Sequence, residues 1–89
     1  MKISQIQQKV LTEGAQLMRP RKEARIKGQP IDYDVKPLFT GNKRGWVLLD
    51  HTTANALQSC YTALKDTNKA KWDSIPVMKL VDFAWQHVS

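Results

Sequence analysis

The hydrophobic period changes twice along this chain, and that change constrains the fold more than any other feature. From Ile3 to Met18 the apolar side chains recur at helical spacing. Ile3, Ile6, Val10, Gly14 and Leu17 share one stripe, widened by Leu11 and Met18, with Gln5, Gln8, Lys9, Thr12 and Gln16 opposite. Pro20 disfavours helical geometry at the residue before it, so this helix is expected to end near Arg19. Gly14 would then lie inside it, costing about 1 kcal/mol relative to Ala and marking a close contact with another helix.

Between residues 21 and 50 the period shortens. Ile31, Tyr33 and Val35 alternate with Asp32 and Asp34, the pattern of a strand with one buried face. Pro30 and Pro37 confine that strand to a sheet edge, because proline has no N–H to give to a ladder. Leu38-Phe39-Thr40 and Trp46 to Leu49, joined by Gly41-Asn42-Lys43-Arg44-Gly45, read as a hairpin near 38–49. The apolar run Trp46–Leu49 is its expected central strand.

From Asp50 the helical period returns. Asp50 or Thr52 caps a helix running to Leu64, with Ala54, Leu57, Cys60, Tyr61 and Leu64 as its core stripe. A short helical turn over Lys69–Trp72 follows. The last helix is capped by Ser74, with Pro76 in its first turn, where a missing N–H costs nothing. Val77, Leu80, Val81, Ala84 and Val88 share its inner face, flanked by Met78 and Trp85; Leu57 and Trp85 are both expected in the core. The class is therefore α+β: an N-terminal helix, a small antiparallel sheet, then two longer helices separated by a short helical turn. One small domain spans 1–89. A chain of 10.2 kDa exposes roughly 5,300 Å² folded against roughly 14,800 Å² extended, so its core is single and modest. Large cofactors and multidomain clefts are not expected.

Charge is the second informative feature. Fourteen Lys and Arg against eight Asp and Glu give a net charge of +6. Eight of those cations lie between Arg19 and Arg44, opposed there only by Glu23, Asp32 and Asp34. Such a concentration favours acidic partners, nucleic acid foremost. Arg19, Arg21, Lys22, Arg25 and Lys27, joined by Lys43 and Arg44 at the loop tip, are the candidate phosphate contacts, and arginine suits bidentate contact. The competing reading is a solvated loop beside a charged edge that blocks strand-to-strand aggregation.

Catalytic and metal chemistry find little footing. Zinc needs three or four close ligands, and Cys60, His51 and His87 are far apart. Cys60 shares an apolar stripe with Leu57 and Leu64, which reads as a small core side chain rather than a nucleophile. Asp32 and Asp34 face one way on a strand, as an acid–base pair would, yet a solvated edge places them equally well. No glycine-rich phosphate motif is present. No catalytic residue, metal or cofactor is expected. Lys2, Ser4, Gln5, Gln7, Gln8 and Lys9 interrupt any apolar run at the N-terminus, so no signal peptide and no membrane contact are expected. The single cysteine suits a reducing compartment, with the cytoplasm as the expected location.

Two functional classes remain. The first is a small non-enzymatic accessory or regulatory module contacting DNA or RNA through residues 19–27 and 43–44. The second is a protein-interaction module, a homodimer or an inhibitor or adaptor of a larger partner, using helices 52–64 and 75–88. The second rests on a stretch, His51 to Leu64, that holds no charged residue. Asn55, Ala56, Ser59 and Ala63 offer a neutral, small face there, and Phe83 lies off the core stripe of the last helix.

Overall fold

In the computed structural model, which describes residues 1–21, 28–39, 41 and 43–88 (the side chains of 87 and 88 apart), the first helix stops at Gly14. Helix α1 covers Ile3–Glu13, and Gly14 takes φ +95°, a left-handed value that side chains resist, while its N–H caps Val10 O. The helical spacing of Leu17 and Met18 is thus misleading. Both belong to strand β1, Gln16–Pro20, instead of the helix expected to reach Arg19. Gly14 is the helix stop, not an interior contact point.

Strand β1 is the centre of a three-stranded antiparallel sheet of order β2-β1-β3. Strand β2 is Tyr33–Pro37 and strand β3 is Val47–Leu49. Met18 pairs with Val35 on one side and with Val47 on the other. The expected hairpin near 38–49 is corrected here: Leu38 and Phe39 lie in a turn, and the strands before and after the connection, β2 and β3, pair with β1 and not with each other. The run beginning at Trp46 is accordingly an edge, not the central strand. The centre went to β1 because it alone has apolar cover on both faces, Met18 beneath and Leu17 above, both buried. Pro20 is tolerated in it because β3 pairs only with Gln16 to Met18, so the missing N–H faces no ladder. β2 is an edge strand, as Pro37 requires.

The helices stack beneath one face of the sheet. Met18, Tyr33 and Leu49 join Ile3, Ile6 and Val10 of α1 in a single core. Helix α2, His51–Thr62, supplies Ala54, Ala56 and Leu57, and its N-cap Asp50 accepts from Thr53 N at 2.8 Å. Helix α3, Asp66–Trp72, supplies Trp72, and helix α4, Val77–Val88, supplies Val77, Leu80 and Ala84. Asp73 follows α3 and caps the first turn of α1, accepting from Ser4 N and Ser4 Oγ at 3.0 Å each.

Two terminal details differ from expectation. Ser74 does not cap α4; its hydroxyl donates to Lys71 O at 2.7 Å and closes α3. The carbonyl of Pro76 instead accepts from Lys79 N and Leu80 N, and Val77 N donates to Tyr33 Oη at 3.2 Å, tying α4 to the sheet. The core tryptophan is also a different one. Trp85 is 42% exposed while Trp72 is 2% exposed, because the stripe Val77, Leu80, Ala84 turns Trp85 outward.

Candidate nucleic-acid interface

Strand alternation sorts the sheet residues into two sets. Met18, Tyr33 and Leu49 face the helices, so Leu17, Arg19, Asp34, Lys36 and Leu48 face the other way. Arg21 continues β1 on that outward side, its N–H donating to Asp32 O at 3.0 Å. Arg19 stands directly opposite Asp34, with Nη2 at 3.7 Å from Oδ2. Arg21 reaches diagonally to Asp34, Nε to Oδ1 at 2.8 Å, and straight across to Asp32, Nη1 to Oδ2 at 3.3 Å. The two acidic residues spaced by two thus meet two arginines spaced by two across the ladder. Asp34 and Asp32 hold Arg21 more firmly protonated than usual, and hydrogen bonding from the Met1 ammonium at 2.6 Å leads the causes that hold Asp32 below its ordinary carboxylate value. These carboxylates are ion-pair partners, and nothing in their geometry sets one up as an acid beside a base.

Trp46 organises the rest of the outward face. Arg19 Cζ sits 4.4 Å and Lys36 Nζ 4.3 Å from its ring centroid. Arg19 and Lys36 are on neighbouring strands and Lys36 pairs with Leu17, so an indole reaching both lies across β1 above Leu17. That arrangement accounts for Leu17 being only 2% exposed on the face turned away from the helices. The turn leading into Trp46 closes with Trp46 N donating to Lys43 O at 3.1 Å, and Gly45 supplies the left-handed φ of +80° it needs. Lys43 and Arg44, both exposed, lie in this turn just before the indole. Upstream in the same connection Phe39 is 91% exposed.

Of the residues expected to contact phosphate, Arg19, Arg21, Lys43 and Arg44 lie on this face or its adjoining turn; Lys22, Arg25 and Lys27 lie outside the described residues. Lys36 and Trp46 are not singled out by the sequence pattern. The signal for Lys36 is present in its phase with Asp32 and Asp34, but reading it requires β1 to be a strand.

The neutral face of α2 divides. Asn55, Ser59 and Ala63 are exposed, whereas Ala56, a candidate interface residue, is buried in the core, where its small side chain leaves room for neighbouring elements to pack closely. Phe83 is 38% exposed and borders a groove between α3 and α4. Cys60 is free and half-buried against the core. Among the described residues no group of three His, Cys, Asp or Glu stands close enough to hold a metal ion, and no helix is long and apolar enough to cross a membrane. Comparison with protein-family models, with curated proteins and with solved structures finds no match.

Proposed function

We propose that this chain is a small non-enzymatic accessory module of the cytoplasm that binds nucleic acid through the outward face of its sheet. The observation that carries the reading is Arg19 and Lys36 stacked on the Trp46 ring, with Arg21 on the same face and Lys43 and Arg44 in the turn before the indole, against Asp32 and Asp34 alone among the described acidic residues there. Cations held over a ring keep their positive charge at a fixed place, so they meet a phosphate already ordered. Aromatic surface at Trp46 on the face, with exposed Phe39 in the adjoining connection, suits unstacked bases better than a duplex groove. The free cysteine supports a reducing compartment.

The test is anisotropy of a labelled single-stranded oligonucleotide and its duplex across a salt series. Binding should appear at about 50 mM salt and weaken linearly in log–log form. Combined Lys36→Ala, Lys43→Ala and Arg44→Ala should flatten the slope on a single strand by roughly 0.7 for each phosphate that is no longer neutralised. A slope that the triple substitution leaves unchanged would remove this face as the contact surface. No binding to either probe at about 50 mM would remove the function itself.

A further inference from the structure

The geometry points to a second docking site, independent of the sheet: a groove between α3 and α4 that takes an acidic amphipathic helix of a partner protein. Leu64, Ile75 and Phe83 form its walls, and the buried Trp72 and Leu80 its floor, around about 420 Å³. This apolar trough runs over the edge of the core, and an apolar helix face is the occupant that fills such a shape.

Its floor is fixed before any ligand arrives. Trp72 Nε1 donates to Gln7 Oε1 at 2.7 Å, and Tyr61 meets the Trp72 ring edge-on with centroids 5.4 Å apart. A pre-ordered floor spares a binding partner the entropy of arranging it.

Charge selects the partner. The charged side chains lining the groove are Lys71 from α3 and Lys79 from α4, both exposed, one on each wall. Among the described residues no carboxylate joins them in the lining. A bound segment with Leu or Ile at i, i+4 and i+7 and Glu or Asp on its flanks would bury the stripe and answer both lysines. Nucleic acid fits poorly, since it brings phosphates but no aliphatic groups for Leu64, Ile75 and Phe83. A second copy fits poorly too, because an isologous contact here brings the groove's lysines of the two copies together.

The experiment uses the intact chain and three synthetic probes. One is a helical peptide with a leucine stripe flanked by glutamates, the second carries lysines in place of the glutamates, and the third has the acidic composition scrambled. The acidic helix should bind more tightly than the lysine version by about tenfold or more, and more tightly than the scramble. Lys71→Glu combined with Lys79→Glu should reverse that order, with circular dichroism and the melting midpoint unchanged because both side chains are exposed. Phe83→Asp should abolish binding of the acidic helix, and Lys36→Ala, Lys43→Ala and Arg44→Ala should leave it intact, which separates this site from the sheet. Equal binding of the acidic and lysine peptides would overturn the proposal, as would no binding of either by about 1 mM. A dimer of the chain alone, dissociated by Phe83→Asp in sedimentation, would also overturn it by showing a second copy in the groove.

Discussion

Trp72 Nε1 and Gln7 Oε1 form a buried 2.7 Å hydrogen bond between residues 65 apart in the chain. Gln7 then passes the interaction on, its Nε2 donating to Gln58 Oε1 at 3.1 Å, so one amide joins α1, α2 and α3. Gln7→Leu should cost about 1–3 kcal/mol, since it strands the indole N–H in the core. Adding Trp72→Phe should recover part of that loss by removing the stranded donor. The denaturant midpoint at constant slope reads both effects, and a silent Gln7→Leu would show that water reaches the indole.

Gln16 should behave in the opposite sense. It is 5% exposed, and while its Nε2 donates to Gly14 O at 3.2 Å, its Oε1 is buried with no hydrogen-bond partner among the described residues. Gln16→Met exchanges an unsatisfied acceptor for a flexible apolar chain. The expected result is a neutral or stabilising change of up to about 1 kcal/mol. A loss above that would mean the amide is satisfied in solution.

The ion pairs across β1 and β2 give a prediction of sign. Asp34→Asn removes a negative charge and loosens its hold on both Arg19 and Arg21. Oligonucleotide affinity should rise by up to about fivefold, equivalent to about 1 kcal/mol. Arg21→Ala should lower it, since the substitution deletes a cation and leaves Asp32 and Asp34 facing the phosphates. An affinity that falls with Asp34→Asn, in a variant whose melting midpoint is unchanged, would move the contact surface elsewhere.

Leu57 and Trp85 separate what the sequence pattern can reach from what it cannot. Leu57 is fully buried, so Leu57→Ala should cost about 2–5 kcal/mol, while Trp85→Ala should cost about 1 kcal/mol or less. Thermal melts of the two variants decide the order. The α2 stripe is legible because helical phase determines which side chains share a face. Trp85 is not, since phase gives a flank but not the depth of the neighbouring elements. Leu17 and Met18 mislead for a related reason: their spacing continues the helical stripe, and only the backbone of Gly14 breaks it. With β1 hidden in that way, the pairing of Arg19 and Arg21 with Asp32 and Asp34 is hidden too. The class α+β survives because Ile31 to Val35 and the helices after Asp50 carry their periods locally.

Asp50 links helix α2 to pH. Its carboxylate accepts the backbone N–H of Thr53, and that bond holds its pKa below the ordinary carboxylate value. A lowered folded pKa means the cap is fully effective above the unfolded value, about 3.9, and is lost as pH falls through the folded one. Asp50→Ala should cost about 1 kcal/mol at neutral pH and flatten this acid-side loss, whereas Asp50→Asn should keep most of the neutral-pH stability. Melting midpoints from pH 7 downward, to about pH 2, check both. A wild type and an Asp50→Ala variant with parallel acid curves would contradict it.

The placement of β2 and β3 on opposite edges of β1 has a consequence for how such a protein diverges. The two strands are about 9.5 Å apart, two inter-strand spacings, so residues 38–46 must bridge the width of a strand and cannot contract to a tight turn. A two-residue hairpin dictates register, and lengthening it shifts every side chain beyond. This bridge dictates nothing of the kind, because β3 takes its register from β1. Insertions, deletions and changes of charge around Lys43 and Arg44 therefore leave the pairing of Met18 with Val47 untouched. Variation in surface charge has a place to accumulate here that folding does not police.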